Sequence, residues 1–177
     1  GNTGNLDVET GRLSIKDGAR VSAITFGAGN TGNVTIKASE VEVVGTSADI
    51  VFRSNLLTQV SPEATGNAGN LIVETQRLTI RDGAQVGVGT FDQGKGGNLT
   101  VNASEFVDLS GSAKDGNPSG LFGSTFGGGD AGNLTITTGQ LIVRDGANLS
   151  TSTFGSGNAG NLHICLLYTS DAADDTP

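Results

Sequence analysis

Three carboxylates stand in near-identical surroundings along this chain and are its best candidates for acid–base chemistry. Asp17, Asp82 and Asp145 each follow a cation (Lys16, Arg81, Arg144) and precede Gly-Ala. A polysaccharide-cleaving site would need such acidic or basic side chains to converge in a groove. The Asp-Gly pair is also a turn signature, because both residues tolerate positive φ and Asp can bond nearby backbone. The only histidine, His163, has no acid nearby in the sequence to orient it as a base. These residues are therefore expected to be structural, and no catalytic residue is assigned.

Other motifs suggest other chemistry, and each has a plainer reading. Gly127-Gly128-Gly129-Asp130 resembles the Gly-Gly-x-Gly-x-Asp turn of calcium-bound β-rolls, but the nine-residue period of those turns is missing. No metal-binding and no cofactor-binding residue is expected. Asn33-Val34-Thr35 and Asn98-Leu99-Thr100 fit the N-glycosylation acceptor pattern. Their asparagines recur with Asn5, Asn70, Asn133 and Asn161, so a stacked amide ladder is the stronger expectation. Thr25, Thr90, Thr125 and Thr153 could form an ice-binding array of outward hydroxyls, but Val60 interrupts the series.

The elements that must position all these residues come from a repeat. Gly-Asn-Leu/Val occurs six times, from Gly4, Gly32, Gly69, Gly97, Gly132 and Gly160, with gaps of 28, 37, 28, 35 and 28. A fixed period of this size means one supersecondary unit stacked on itself. Short and long units alternate, so the full repeat is a pair of 65 residues from Gly4 and of 63 from Gly69.

Within each unit, apolar residues alternate with polar or small ones, as in a strand with one buried face. No window carries the i, i+3, i+4, i+7 apolar pattern of a helix. Three short strands per coil are expected, the third ending in Thr-Phe at Phe26, Phe91 and Phe154. Repetition in register should stack Leu6, Val34, Leu71, Leu99, Leu134 and Leu162. The same holds for the column that begins Val8, Ile36, Val73 and for the one that begins Leu13, Val41, Leu78. Parallel pairing at ~4.8 Å per coil then gives an all-β parallel β-helix, a solenoid of about five coils. On that spacing Asp17, Asp82 and Asp145 lie in alternate coils, ~9.6 Å apart, too far for a close carboxylate pair.

The long units replace the Asp-Gly-Ala corner with Gly45-Thr46-Ser47 and Gly111-Ser112-Ala113, followed by insertions at Ala48–Asn55 and Lys114–Ser119. Insertions in a solenoid map to loops on one face, so these two should protrude side by side.

Composition bounds the partners. Twenty-nine Gly and three Pro in 177 residues are high for a globule but short of low complexity. The net charge is −8, or −5 without Asp171, Asp174 and Asp175. That argues against nucleic acid or an anionic membrane, either of which needs a basic stripe. No apolar run approaches the ~18 residues of a membrane span. One cysteine, Cys165, excludes an internal disulfide framework.

The ordered phrases Gly-Asn-Leu-x-Val-x-Thr, Arg-Asp-Gly-Ala and Thr-Phe-Gly-x-Gly-Asn, in alternating units across 1–164, resemble the repeat regions of filamentous haemagglutinin-like adhesins. These are bacterial exoproteins of the two-partner secretion class. The resemblance implies a right-handed β-helical shaft, exported through an outer-membrane transporter and held at the cell surface or secreted. It also implies a partner on a host or neighbouring cell, glycan or protein. The chain has no methionine and begins inside a repeat, so 1–164 is expected to be a fragment of a longer array, and residues 165–177 leave the pattern and resemble a translated sequencing adapter. The function expected is a structural adhesin shaft without catalysis; the alternative is a β-helical polysaccharide-active enzyme, lyase or hydrolase.

Overall fold

A computed structural model describes residues 1–168 of the chain. These contain eleven strands and no helix. Six strands, β1 (Leu6–Lys16), β3 (Val34–Val44), β5 (Leu71–Arg81), β7 (Leu99–Ser110), β9 (Leu134–Arg144) and β11 (Leu162–Leu166), form one sheet in that order. The other five, β2 (Arg20–Thr25), β4 (Asn55–Val60), β6 (Gln85–Thr90), β8 (Gly120–Thr125) and β10 (Asn148–Thr153), form a second. Every pairing between these strands is parallel, from one coil to the next. The chain is a parallel β-helix.

Each coil uses two strands where three were expected, because the first two walls share one continuous strand. In β3 the buried apolar positions are Val34, Ile36 and Ala38, then Val41 and Val43. The step from 38 to 41 breaks the two-residue period, so the strand bends between its walls without a turn. Ladder pairing skips one residue there and resumes at Glu40. Thr75 and Thr138 brace the bend in their coils by donating to the carbonyls of Arg77 and Gln140.

The core is the set of columns read from the repeat. Leu6, Val34, Leu71, Leu99, Leu134 and Leu162 are register partners in succession, as are Leu13, Val41, Leu78, Val107 and Leu141. Val21, Leu56, Val86, Leu121 and Leu149 complete the third wall. Val34, Leu71, Leu99, Leu56, Val86 and Leu121 are fully buried, whereas the coils at both ends are only half covered. Burying a Leu or Val side chain contributes roughly 1.5–3 kcal/mol, so the interior coils carry most of the cohesion.

β11 takes in Cys165 and Leu166, and Leu167 N–H still donates to Thr138. The remainder of the expected non-repeat tail, 169–177, lies outside the described residues.

Candidate functional site

The three aspartates are corner residues. Asp17, Asp82 and Asp145 have φ of 56°, 57° and 54°, and the following Gly18, Gly83 and Gly146 are also at positive φ. Ala19, Ala84 and Ala147 N–H close these turns on the carbonyls of Lys16, Arg81 and Arg144. Two consecutive positive φ values define a type I′-like turn, which explains the Asp-Gly preference. The turn is held by its backbone, not by the carboxylate bonding back as the sequence had suggested. Asp145 instead meets Arg144 Nη1 at 3.5 Å.

The inserted loops fold down over these corners. Ser54 Oγ accepts from Gly18 N–H at 3.0 Å, and Ser119 Oγ accepts from Gly83 N–H at 2.8 Å. The loops do stand side by side: Arg53 in the first reaches Asp115 in the second at 2.6 Å. Hydrogen bonding from Arg53 holds the Asp115 carboxyl down to about 2, from an ordinary value of 3.8. Phe52, the one phenylalanine outside the repeat pattern, lies under the Arg20 guanidinium at 5.3 Å, a cation–π contact that pins the loop to β2.

The asparagine ladder exists, with a different donor from the one expected. Asn5, Asn33, Asn70, Asn98 and Asn133 each offer Oδ1 to the backbone N–H of the next asparagine, all at 2.9 Å. Asn33 and Asn98 are thereby committed to the fold. A second ladder runs three residues earlier, from Asn2 to Asn30 and from Asn30 to Asn67. Asp130 belongs to it, accepting from Asn158 N and Nδ2 at 2.8 and 2.9 Å. The calcium-like turn is a ladder rung. Among the described residues no three His, Cys, Asp or Glu side chains gather to hold a metal.

The glycines before these asparagines have a steric reason. A methyl group on Gly32, Gly69, Gly97, Gly132 or Gly160 would overlap the carbonyl oxygen of the equivalent glycine one coil back. Gly29, Gly66, Gly94, Gly129 and Gly157 repeat the same contact three residues earlier. This second Gly-Asn step was readable in Gly1-Asn2, Gly29-Asn30, Gly66-Asn67 and Gly157-Asn158, but its variants Lys95 and Asp130 hid it.

The threonine array faces inward. Thr25, Thr90 and Thr125 are at most 4% exposed, and Thr90 and Thr125 donate to the carbonyls of Gly94 and Gly129. An ice-binding face cannot be built from buried hydroxyls. His163 occupies the slot of Thr135, Thr100, Ile72 and Thr35, as its place in the repeat implies.

On the outer face of the first sheet, Glu42 is encircled by cations: Lys16 Nζ at 2.8 Å, Arg12 Nη2 at 3.0 Å and Arg81 Nη2 at 3.2 Å. The Lys16 hydrogen bond leads in lowering its pKa, so Glu42 stays ionised and is no proton donor near neutrality. Asp108 and Arg144 repeat the motif at 3.2 Å. In both clusters cations of short units meet an acid of a long one, whereas Lys37 of a long unit pairs with Glu74 of a short one at 3.6 Å.

The second sheet presents the opposite character. Phe91, Phe126 and Phe154 follow the ends of their strands and point outward. Their rings stack at 4.7 and 4.9 Å, within 7° of parallel. They are 38%, 47% and 69% exposed, so the phenylalanines form an exterior row and not the end of the third core strand. Beside them lies a groove of about 440 Å³. Two register rows make its floor: Leu57, Gly87, Phe122, Ser150 and Gln59, Gly89, Ser124, Ser152. Gln85, Asn148, Asn117 and Pro118 form the far rim, the last two from the second inserted loop. Among the described residues no charged side chain lines it.

No protein-family model, curated protein or solved structure matches the chain. Its function has to be argued from this geometry.

Proposed function

We propose that this chain is a structural and interaction segment: part of the shaft of a large bacterial adhesin, secreted or held at the outer cell surface. The observation that carries the reading is the division of labour between inside and outside. Inward columns repeat coil after coil, and what varies is confined to outward slots and to two loops locked together by Arg53 and Asp115. A rigid rod that displays loops at intervals is suited to presenting contacts away from a surface. The exposed aromatic row supports the same reading, since contiguous apolar patches on a protein surface mark interaction sites. Export by a two-partner transporter, and a host or neighbouring-cell partner, follow from the resemblance of the repeat phrases to filamentous haemagglutinin-like adhesins.

Beads coated with the protein are the direct test. They should bind target cells above beads carrying an unrelated protein of equal net charge. Retention should fall when loop residues Asp49 and Lys114 are replaced by Ala. Absence of retention, together with glycan turnover lost on Asp82→Ala, would instead establish the polysaccharide-active enzyme.

A further inference from the structure

We infer that the groove on the outer face of the second sheet is a binding site for a neutral oligosaccharide. Its depth has a specific origin. Gly87 and Gly89 occupy two outward slots where neighbouring coils carry Leu57 and Gln59 on one side and Phe122 and Ser124 on the other. Two missing side chains leave a notch between β4 and β8, which are two strand spacings, ~9.6 Å, apart. Subtracting the half-thickness of each flanking side chain leaves roughly 5–6 Å, enough for one ring lying edge-down. The notch ends at Phe91 on the aromatic row and at Gln85 on the opposite rim.

The lining selects the ligand by what it offers. Apolar walls come from Leu57, Phe122 and the phenylalanine row, suited to the C–H faces of a sugar ring. The polar groups are hydroxyls and amides: Ser124, Ser150, Ser152, Gln59, Gln85 and Asn148. Each can both donate and accept, which matches a sugar hydroxyl. An anionic sugar would find no cation in the groove and a chain of net charge −8 around it. A volume of about 440 Å³ falls in the small-ligand range.

This inference adds a partner class to the adhesive reading and rests on it only for the presence of glycan on the contacted surface. Titration calorimetry of the whole chain with maltohexaose, cellohexaose, laminarihexaose and chitohexaose, against hexagalacturonate, tests it. At least one neutral hexasaccharide should bind saturably, with affinity unchanged between pH 5 and 8 and between 50 mM and 500 mM salt. Phe122→Ala should weaken binding at least tenfold. Ser124→Lys, which fills the notch from the surface without touching the core, should abolish it while the thermal transition stays put. Lys37→Ala on the opposite sheet should leave it unchanged. Failure of all four neutral sugars, tighter binding of hexagalacturonate, or full affinity in both groove variants overturns the inference. So does a dimer in sedimentation that dissociates on Phe126→Ala, which would make the groove a self-contact. Bead retention without sugar binding would refute the groove alone, whereas sugar binding without retention would refute the adhesive role alone.

Discussion

Arg53 and Asp115, 62 residues apart in sequence, meet at 2.6 Å and tie together two loops that belong to different long units. The short unit between them contributes the Asp82-Gly83 corner, on which the second loop rests through Ser119. The alternation of unit lengths therefore builds one continuous edge from two separate insertions.

That contact makes a pH prediction. The Asp115 carboxyl is held at about 2 in the folded chain against 3.8 when free. A depressed carboxylate stabilises the fold above its free value, and this contribution is lost as pH falls from about 3.8 through about 2. Arg53→Ala should raise the Asp115 titration, followed by carboxyl NMR, toward the ordinary carboxylate range, with the Asn117 hydrogen bond still holding it somewhat below. It should also flatten the acid limb of stability between those values.

The glycine stack makes a steric prediction. Gly97→Ala would drive a methyl group into the Gly69 carbonyl oxygen. A loss of about 1–3 kcal/mol or more is expected in urea unfolding, as for overpacking in a close-packed interior. Gly4→Ala, where nothing lies within 4 Å, should be nearly silent.

Ile50 makes the opposite prediction. This β-branched residue sits at φ 64°, at the turn position where the second loop has Gly116 at 84°. A left-handed conformation costs a side-chain-bearing residue roughly 1–2 kcal/mol, and glycine returns part of that in chain entropy. Ile50→Gly should raise stability by about 0.5–1 kcal/mol, read as an upward shift of the thermal midpoint.

The asparagine ladder is testable at one rung. Asn98→Ala removes the acceptor for Asn133 N–H but leaves Asn98's own N–H bonded to Asn70. The expected cost is about 0.5–1.5 kcal/mol, with faster amide exchange at Asn133 and not at Asn98.

The columns were legible because a period states which residues are equivalent: Leu6, Val34 and Leu71 had to stack if the unit repeated. Equivalence does not state direction. Thr25 and Phe26 recur together, and only the coordinates assign the hydroxyl inward and the ring outward. The same limit hid the groove, which depends on Gly87 and Gly89 lying between Leu57 and Phe122 on adjacent coils. The continuity of the long strands was missed, and a break was expected between the first two walls, because Gly11, Ser39 and Gln76 share no residue type that tells a bend from a corner. The asparagine ladder was expected as amide on amide, since a side-chain oxygen that prefers the next backbone N–H leaves no separate mark in the sequence.

The central claim is that equivalent positions climb by one strand spacing per coil. Spin labels placed in pairs on the outward column Asp7, Thr35, Ile72, Thr100 and Thr135, in a Cys165→Ser background, measure that climb directly. Moving one label from Thr100 to Thr135 with the other fixed at Asp7 should lengthen the mean separation by ~4.8 Å, from ~14 to ~19 Å. Separations that fail to grow along the column, or that scatter without order, would contradict the stacked-coil account.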